Sequence, residues 1–287
     1  MTPSHDKQQK TVLITGCSSG IGYGCAHGLQ QRGYRVFATA RKARDVKRLQ
    51  GEGLESLSLD LDRSGSIDKA VNEILERTNG QLFALFNNAG YGQVGAVEDL
   101  SRAAIRANFE TNVFGTMELT NRIIPVMRRQ GEGRIVQNSS LFAYSYMAWR
   151  GAYPATKYAI EGFTDTLRLE LAGSGIHVSL IEPGAIKSNF RKNAFAAYEK
   201  NIDRIHSVHR DTYARVEKRL KSQTGVPFAK TPQAVLEKLI HALESPRPRI
   251  RYPVTVPAHA FYLLRRLLSS RAMDRLMARV SAAENRD

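Results

Sequence analysis

The sequence predicts an α/β fold: one doubly wound, mostly parallel sheet with helices on both faces, followed by a C-terminal helical extension. Three observations predict it. Short β-branched runs recur along the first two thirds of the 287 residues, and segments with helical spacing fill the intervals between them. The first run ends in a glycine-rich turn, TGCSSGIG, that opens directly into a helical pattern. Parallel neighbours need crossover connections, and helical crossovers cover both faces of the sheet.

The elements follow in order. TVLITG, from Thr11, reads as a strand, and Ile21, Cys25, Ala26 and Leu29 recur after it at helical spacing. RVFATA (35–40) is a second strand, 42–50 a helix, LESLSLDL (54–61) a third strand and SIDKAVNEILERT (66–78) an amphipathic helix. LFALFNNAG (82–90) and GRIVQNSS (133–140) read as strands on either side of a long helix over 101–129. A helix running from YPATK to residue 172 precedes HVSLIEPG (177–184), the sixth strand. Residues 187–230 read as an irregular, charged insertion and 257–282 as a helical tail. One domain over 11–256 accommodates this pattern, behind a polar segment (1–10) and ahead of a basic amphipathic tail (257–287).

Composition narrows the function classes. Hydrophobic residues make up 42 % of the chain, enough for one substantial core. Two cysteines, Cys17 and Cys25, are too few for a disulfide framework or a zinc site, so both read as packing residues, with Cys17 also a candidate neighbour of a ligand. His206 and His209 lack further ligands at fitting spacings, and no metal is expected. The opening MTPSHDKQQK lacks the apolar core of a secretory signal, and no apolar run approaches a membrane span, which predicts a cytoplasmic protein. The net charge of +15 is concentrated: residues 187–221 carry ten Lys/Arg against four Asp/Glu, and 246–280 eight Arg against one Asp. A basic C-terminal third without a recognition motif does not predict a nucleic-acid binder.

The glycines at 16, 20 and 22 lie between a strand and a helix. Glycine permits the sharp turn there and lets the backbone approach a pyrophosphate at the positive helix end. The spacing T-G-x-x-x-G-x-G resembles that of the short-chain dehydrogenase/reductase family, and further motifs of that family follow in order. They are NNAG at 87–90, Asn112 in the long helix, Ser140 thirteen residues before Tyr153, Lys157 four after it, and Pro183-Gly184. The resemblance runs from Thr11 to Ser188, more loosely to the end, and implies a Rossmann-like fold binding a nicotinamide dinucleotide.

Charge argues for which dinucleotide. NAD sites place an acid at the end of the second strand, on the ribose 2′-hydroxyl. Here the strand ends in Thr39-Ala40-Arg41-Lys42. An acid would repel a 2′-phosphate, whereas the Arg41 guanidinium suits one, so NADP(H) is the expected cofactor. Lys42, Arg44, Ser18 and Ser19 are candidate helpers, and a solvated helix-start residue is the other reading of Arg41. The resemblance implies cofactor contacts from Gly16, Gly20, Ile21 and Gly22, from Asn88, Ala89 and Gly90 under the ribose, and from Pro183, Gly184, Ile186 and Ser188 at the nicotinamide. Asp60 resembles the family's adenine contact, although a strand-end or N-cap carboxylate fits it equally.

Pro154 suits a first helical position, which puts Tyr153 at the helix mouth with Lys157 one turn on along the same face. A phenol is a weak base at neutral pH, so an adjacent ammonium and the helix dipole are expected to favour phenolate. The resemblance makes Tyr153 the proton donor and acceptor, Lys157 also a partner of the nicotinamide ribose, Ser140 the orienter of the substrate oxygen and Asn112 the holder of a relay water. Ser139 stays open as an alternative to Ser140.

The implied activity is carbonyl–alcohol interconversion. Phe190, Phe195, Tyr198, Ile202, Ile205, Tyr213 and Val216 in the insertion suit an apolar inner face over a small lipophilic carbonyl or alcohol substrate. The tail pairs Phe261, Leu264, Leu267, Leu268, Leu276 and Met277 with five arginines. Such helices pack on their own domain, cover substrate or touch an anionic membrane. Within the family, TGCSSGIG, TAR and RIRYPVT resemble the branch of retinol dehydrogenases, 17β-hydroxysteroid dehydrogenases and bacterial NADP-dependent aldehyde reductases. The family also implies a homo-oligomer, dimer or tetramer, paired through the helices at 101–129 and 153–172. A catalytically silent, cofactor-binding regulatory protein is the first alternative class, and nucleic-acid binding through the basic C-terminal third the second.

Overall fold

Thr11–Ile14, the first β-branched run, forms the strand around which the sheet is organised. The computed structural model describes residues 9–222 and 225–284, so most of the polar N-terminal segment and the last three residues of the tail lie outside the described residues. Seven parallel strands pair in the order β3-β2-β1-β4-β5-β6-β7. They are β1 (Thr11–Ile14), β2 (Arg35–Ala40), β3 (Glu55–Ser58), β4 (Ala84–Asn87), β5 (Gly133–Asn138), β6 (Ile176–Glu182) and β7 (Arg251–Pro253). The strand order reverses direction between β1 and β4. Ligands of such sheets bind beyond the carboxyl ends of the strands at that switch point.

The helices are α1 (Gly20–Gln31), α2 (Ala43–Gly51), α3 (Ser64–Arg77), α4 (Arg102–Phe109), α5 (Gly115–Gln130), α6 (Ala152–Glu170), α7 (Phe190–Asn201), α8 (Arg210–Lys221), α9 (Gln233–Glu244), α10 (Val256–Leu267) and α11 (Ser270–Glu284). Alternate strand residues feed two cores, as a pleated strand requires. Val12, Ile14, Phe86 and Val136 pack with α1, α2 and α9; Leu13, Phe37, Leu85 and Ile135 pack with α3, α5 and α6. A Cβ added at Gly28 would lie 2.1 Å from the tip of the Leu236 side chain, so the glycine lets α1 and α9 pack closely as these side chains stand.

Four features differ from the sequence-based expectation. The insertion is not irregular: α7 and α8 form a third core in which Tyr198 and Tyr213 are fully buried beside Val94, Leu100 and Ala152. Ile202 and Val216 join that core, whereas Ile205 faces solvent. Two short elements, α9 and the seventh strand, were not singled out by periodicity. The tail is two helices, because Ser269 caps the second: its hydroxyl accepts from Ala272 N–H at 3.4 Å. The long helix over 101–129 contains a π turn, Glu110–Phe114, between α4 and α5.

Strand β7 has three residues and little ladder, and charge anchors it. Arg251 bonds Glu182 at 2.8 Å and Asp165 at 2.7 Å, and also pairs with Glu161. Glu182 and Glu161 are buried. Burial, then the neighbouring Glu161, pushes the Glu182 carboxyl up to about 7 despite the arginine. Removing one partner of a buried ion cluster leaves the others uncompensated. Arg251→Ala is therefore expected to cost about 3–5 kcal/mol, read from the urea midpoint; a loss below 1 kcal/mol would mean that water already relieves the carboxylates.

Candidate active site

The turn after β1 is shaped for close approach. Gly16 has φ +72°, and a Cβ there would lie 2.8 Å from the Ala89 backbone. One added at Gly20, φ +62°, would lie 2.6 Å from Ser188 Cβ, which places the loop after β6 directly above the start of α1. Ile21 and Gly22 form the first turn of α1, whose free N–H groups and dipole suit a pyrophosphate. Arg48 donates to Ser18 O at 2.7 Å and so braces the turn. Cys17 is fully buried, its Sγ donating to Ile14 O at 3.3 Å; burial pushes its thiol up to about 12, and it packs rather than reacts.

Behind the turn, Thr15 and Asn88 tie three strand ends together. Thr15 Oγ1 accepts from the backbone N–H of both Asn88 and Ala89 at 2.9 Å. The Asn88 amide donates to Thr15 O at 2.9 Å and accepts from Asn138 at 3.0 Å. With its side chain committed to this scaffold, Asn88 leaves only its backbone for a ligand. Thr15 and Asn138 escaped the sequence reading, their one signal being a polar residue at a strand's carboxyl end.

Arg41 and Lys42 follow β2 at the surface, Arg41 near enough to Tyr91 for its charge to act on that phenol. Asp60 is half-buried just past β3; its Oδ1 accepts from Asp62 N–H at 3.3 Å, a turn-forming role beside the expected one. Gly90 borders Asn112, whose Oδ1 accepts from Tyr91 N–H at 3.0 Å. The Asn112 amide nitrogen donates to Tyr91 O at 2.9 Å and to Thr156 Oγ1 at 3.1 Å. Both amide hydrogens are thus used, so the side chain does not itself donate to a relay water. Pro183 O accepts from Leu141 N–H at 2.9 Å, and Ile186 bridges to Lys230. Gly184 lies against Thr255, and Ser188 Oγ donates to Ile186 O at 3.2 Å.

Ser140, Tyr153 and Lys157 converge past β5. Helix α6 begins at Ala152, so Pro154 is its third residue, still among the positions whose N–H is unpaired in any helix. Tyr153 and Lys157 stand one turn apart, both buried, and Lys157 Nζ donates to Asn138 O at 2.7 Å. Ser140 lies beside the phenol; Ser139 is buried towards Glu161, which separates the two adjacent serines. Phe142 and Phe190 flank the Tyr153 ring at 6.1 and 5.2 Å between centroids. The Phe142 contact was not legible in sequence.

The expected acidification of the phenol is not what this arrangement produces. Burial dominates and pushes Tyr153 up to about 12, with the Ser140 hydroxyl pulling the other way. Burial lowers Lys157 to about 8, opposed by the Glu161 carboxylate one turn further along α6. The ammonium sits 5.8 Å from the phenol ring centroid and binds a carbonyl instead. Near neutrality the site holds a protonated phenol beside a charged amine.

A glycine-cradled helix start at a switch point, with a buried Tyr-Lys pair and a serine past the neighbouring strands, defines a dinucleotide-dependent oxidoreductase. The chain belongs to the short chain dehydrogenase family, whose pattern it matches over residues 10–199. It is 41 % identical over 269 residues to an uncharacterized oxidoreductase, YbbO, of Escherichia coli K12, covering 94 % of each chain. Human retinol dehydrogenase 8 is 33 % identical over 84 % of this chain and 80 % of its own. A short-chain dehydrogenase from Streptomyces avermitilis superposes with a TM-score of 0.75 at 29 % identity, covering 97 % of this chain and 96 % of the other.

Proposed function

We propose that this protein is an NADP(H)-dependent oxidoreductase that interconverts a lipophilic aldehyde or ketone with its alcohol, using Tyr153 as proton donor and acceptor. The observation that carries the reading is the convergence of Ser140, Tyr153 and Lys157 beside a glycine turn packed too closely on Ala89 and Ser188 to admit a Cβ. The residues fit the cofactor. Gly16, Gly20, Ile21 and Gly22 would hold the pyrophosphate, Arg41 with Lys42 or Arg44 and the Ser18 or Ser19 hydroxyl the 2′-phosphate, and Asp60 the adenine. The backbone of Asn88, Ala89 and Gly90 would floor the ribose, Lys157 would bond its hydroxyls, and Pro183, Gly184, Ile186 and Ser188 would line the nicotinamide. When bound, the nicotinamide supplies the hydride.

The chain supplies the proton. In the reducing direction the Tyr153 hydroxyl donates to the substrate oxygen as it gains charge, while the Ser140 hydroxyl donates to the same oxygen. Lys157 stabilises the phenolate left behind. The π turn at Asn112 interrupts the regular helix ladder, so a main-chain carbonyl there is the acceptor suited to a relay water. Phe142 and Phe190 wall the phenol with apolar surface, which supports a lipophilic substrate. So does the likeness to retinol dehydrogenase 8, named for a lipophilic alcohol. Ile105, Phe114 and Phe163 are exposed on α4–α6 and support a homo-oligomer, dimer or tetramer, paired through those helices. Among the described residues no helix is long and apolar enough to cross a membrane.

The deciding experiment follows NADPH absorbance with a panel of aldehydes, steroids and retinoids. Turnover of at least one lipophilic carbonyl is expected; a silent panel with tight NADPH binding would favour a regulatory protein instead. The pH profile should carry the lysine's signature. Lys157 is charged below its lowered value and neutral above it, so kcat/KM for reduction is expected to fall as pH rises through about 8 and to approach a tenfold loss per pH unit. A flat profile to pH ~10, the ordinary lysine range, would remove its charge from the reaction.

A further inference from the structure

Helices α10 and α11 are fixed to the domain on one side and bare on the other. Ala258, Met273 and Met277 are buried, the Tyr144 hydroxyl donates to Ala258 O at 3.0 Å, and Tyr146 pairs with Asp274. These contacts set which face of α10 points outward. On that face Val256, Ala260, Leu263 and Leu267 follow at i, i+4, i+7 and i+11, a single stripe along the helix. Val256 is 60 % exposed, Leu263 57 % and Leu267 78 %, far more than isolated surface leucines need be. Arg266 is exposed about a quarter-turn from the stripe, Arg265 lies on the opposite side of α10 near Tyr146 and Tyr158, and Arg271, Arg275 and Arg279 carry exposed charge along α11. Residues 246–280 carry eight arginines against Asp274 alone.

We infer that this face docks on an anionic bilayer, with the Val256–Leu267 stripe entering the acyl boundary and the arginines meeting the headgroups. Three occupants compete, and charge and apolarity together choose among them. A second copy of this chain, paired symmetrically, would set the same arginines against each other. A nucleic acid would satisfy the arginines but leave the stripe in water. A bilayer with anionic headgroups accommodates both. Because α10 follows β7 and touches the loop after Ser140 through Tyr144, docking would bring the bilayer beside the crevice. The inference does not depend on catalysis, since vesicle binding needs no turnover.

The test is co-sedimentation of the full chain with vesicles. The protein is expected to pellet with equal parts phosphatidylglycerol and phosphatidylcholine, and to stay in solution with phosphatidylcholine alone. The double variant Leu263→Asp/Leu267→Asp should lower partitioning by about tenfold or more, and Arg271→Glu/Arg275→Glu should abolish its salt dependence. Circular dichroism and thermal melting like those of the unaltered protein establish that the variants fold. The inference is overturned if the unaltered protein stays in solution with both vesicles, or if both variants pellet as it does. It is equally overturned if vesicle binding is absent and the leucine variant instead dissociates an oligomer in sedimentation velocity, or leaves retention on duplex DNA unchanged.

Discussion

Tyr153→Phe is expected to lower kcat by about 10²–10⁴-fold while leaving NADPH affinity close to that of the unaltered protein. The hydroxyl is the only atom removed, and the ring keeps its packing between Phe142 and Phe190. Loss of the proton donor therefore separates from loss of structure. Fluorescence titration with NADPH and initial rates on the best panel substrate check the two halves independently. Retained turnover would move the proton donor elsewhere, and a collapse of cofactor affinity would assign Tyr153 to binding instead.

Arg41→Asp is expected to reverse cofactor preference, lowering kcat/KM for NADPH by about 10²–10³-fold and improving that for NADH. The change replaces a fork that matches a phosphate with an acid that repels one and suits the ribose hydroxyls. Arg41 is exposed, and the group its charge acts on, Tyr91, is a phenol and not a carboxylate. An unchanged preference would assign the phosphate to Lys42 or Arg44 and return Arg41 to the solvated surface.

Much of this was legible in the sequence because the signals are local. The six longer strands, the glycine turn and the YPATK helix each announce themselves within about ten residues, where backbone propensity and side-chain period act together. What escaped was set by tertiary contact. Strand β7 is three residues long and is anchored by the buried carboxylates Glu161 on α6 and Glu182 on β6, far away in sequence. The insertion looked irregular because its apolar residues face loops over 94–100 as well as each other: Tyr213 accepts from Ala96 N–H at 2.9 Å and donates to Asp99 at 2.5 Å. At the site, motif spacing located Ser140, Tyr153 and Lys157, but not the direction of their proton affinities. Those depend on burial, which outweighs the neighbouring charge that spacing alone suggests.

The clasp of Thr15, Asn88 and Asn138 has a consequence for affinity. Its bonds join β1, β4 and β5 through protein atoms alone, so the floor beneath a nucleotide is rigid before any nucleotide arrives. The entropy of ordering that floor is charged to folding and not to association, leaving each ligand contact to count in full. A chain built this way should recognise its dinucleotide as a lock whose wards are already cut.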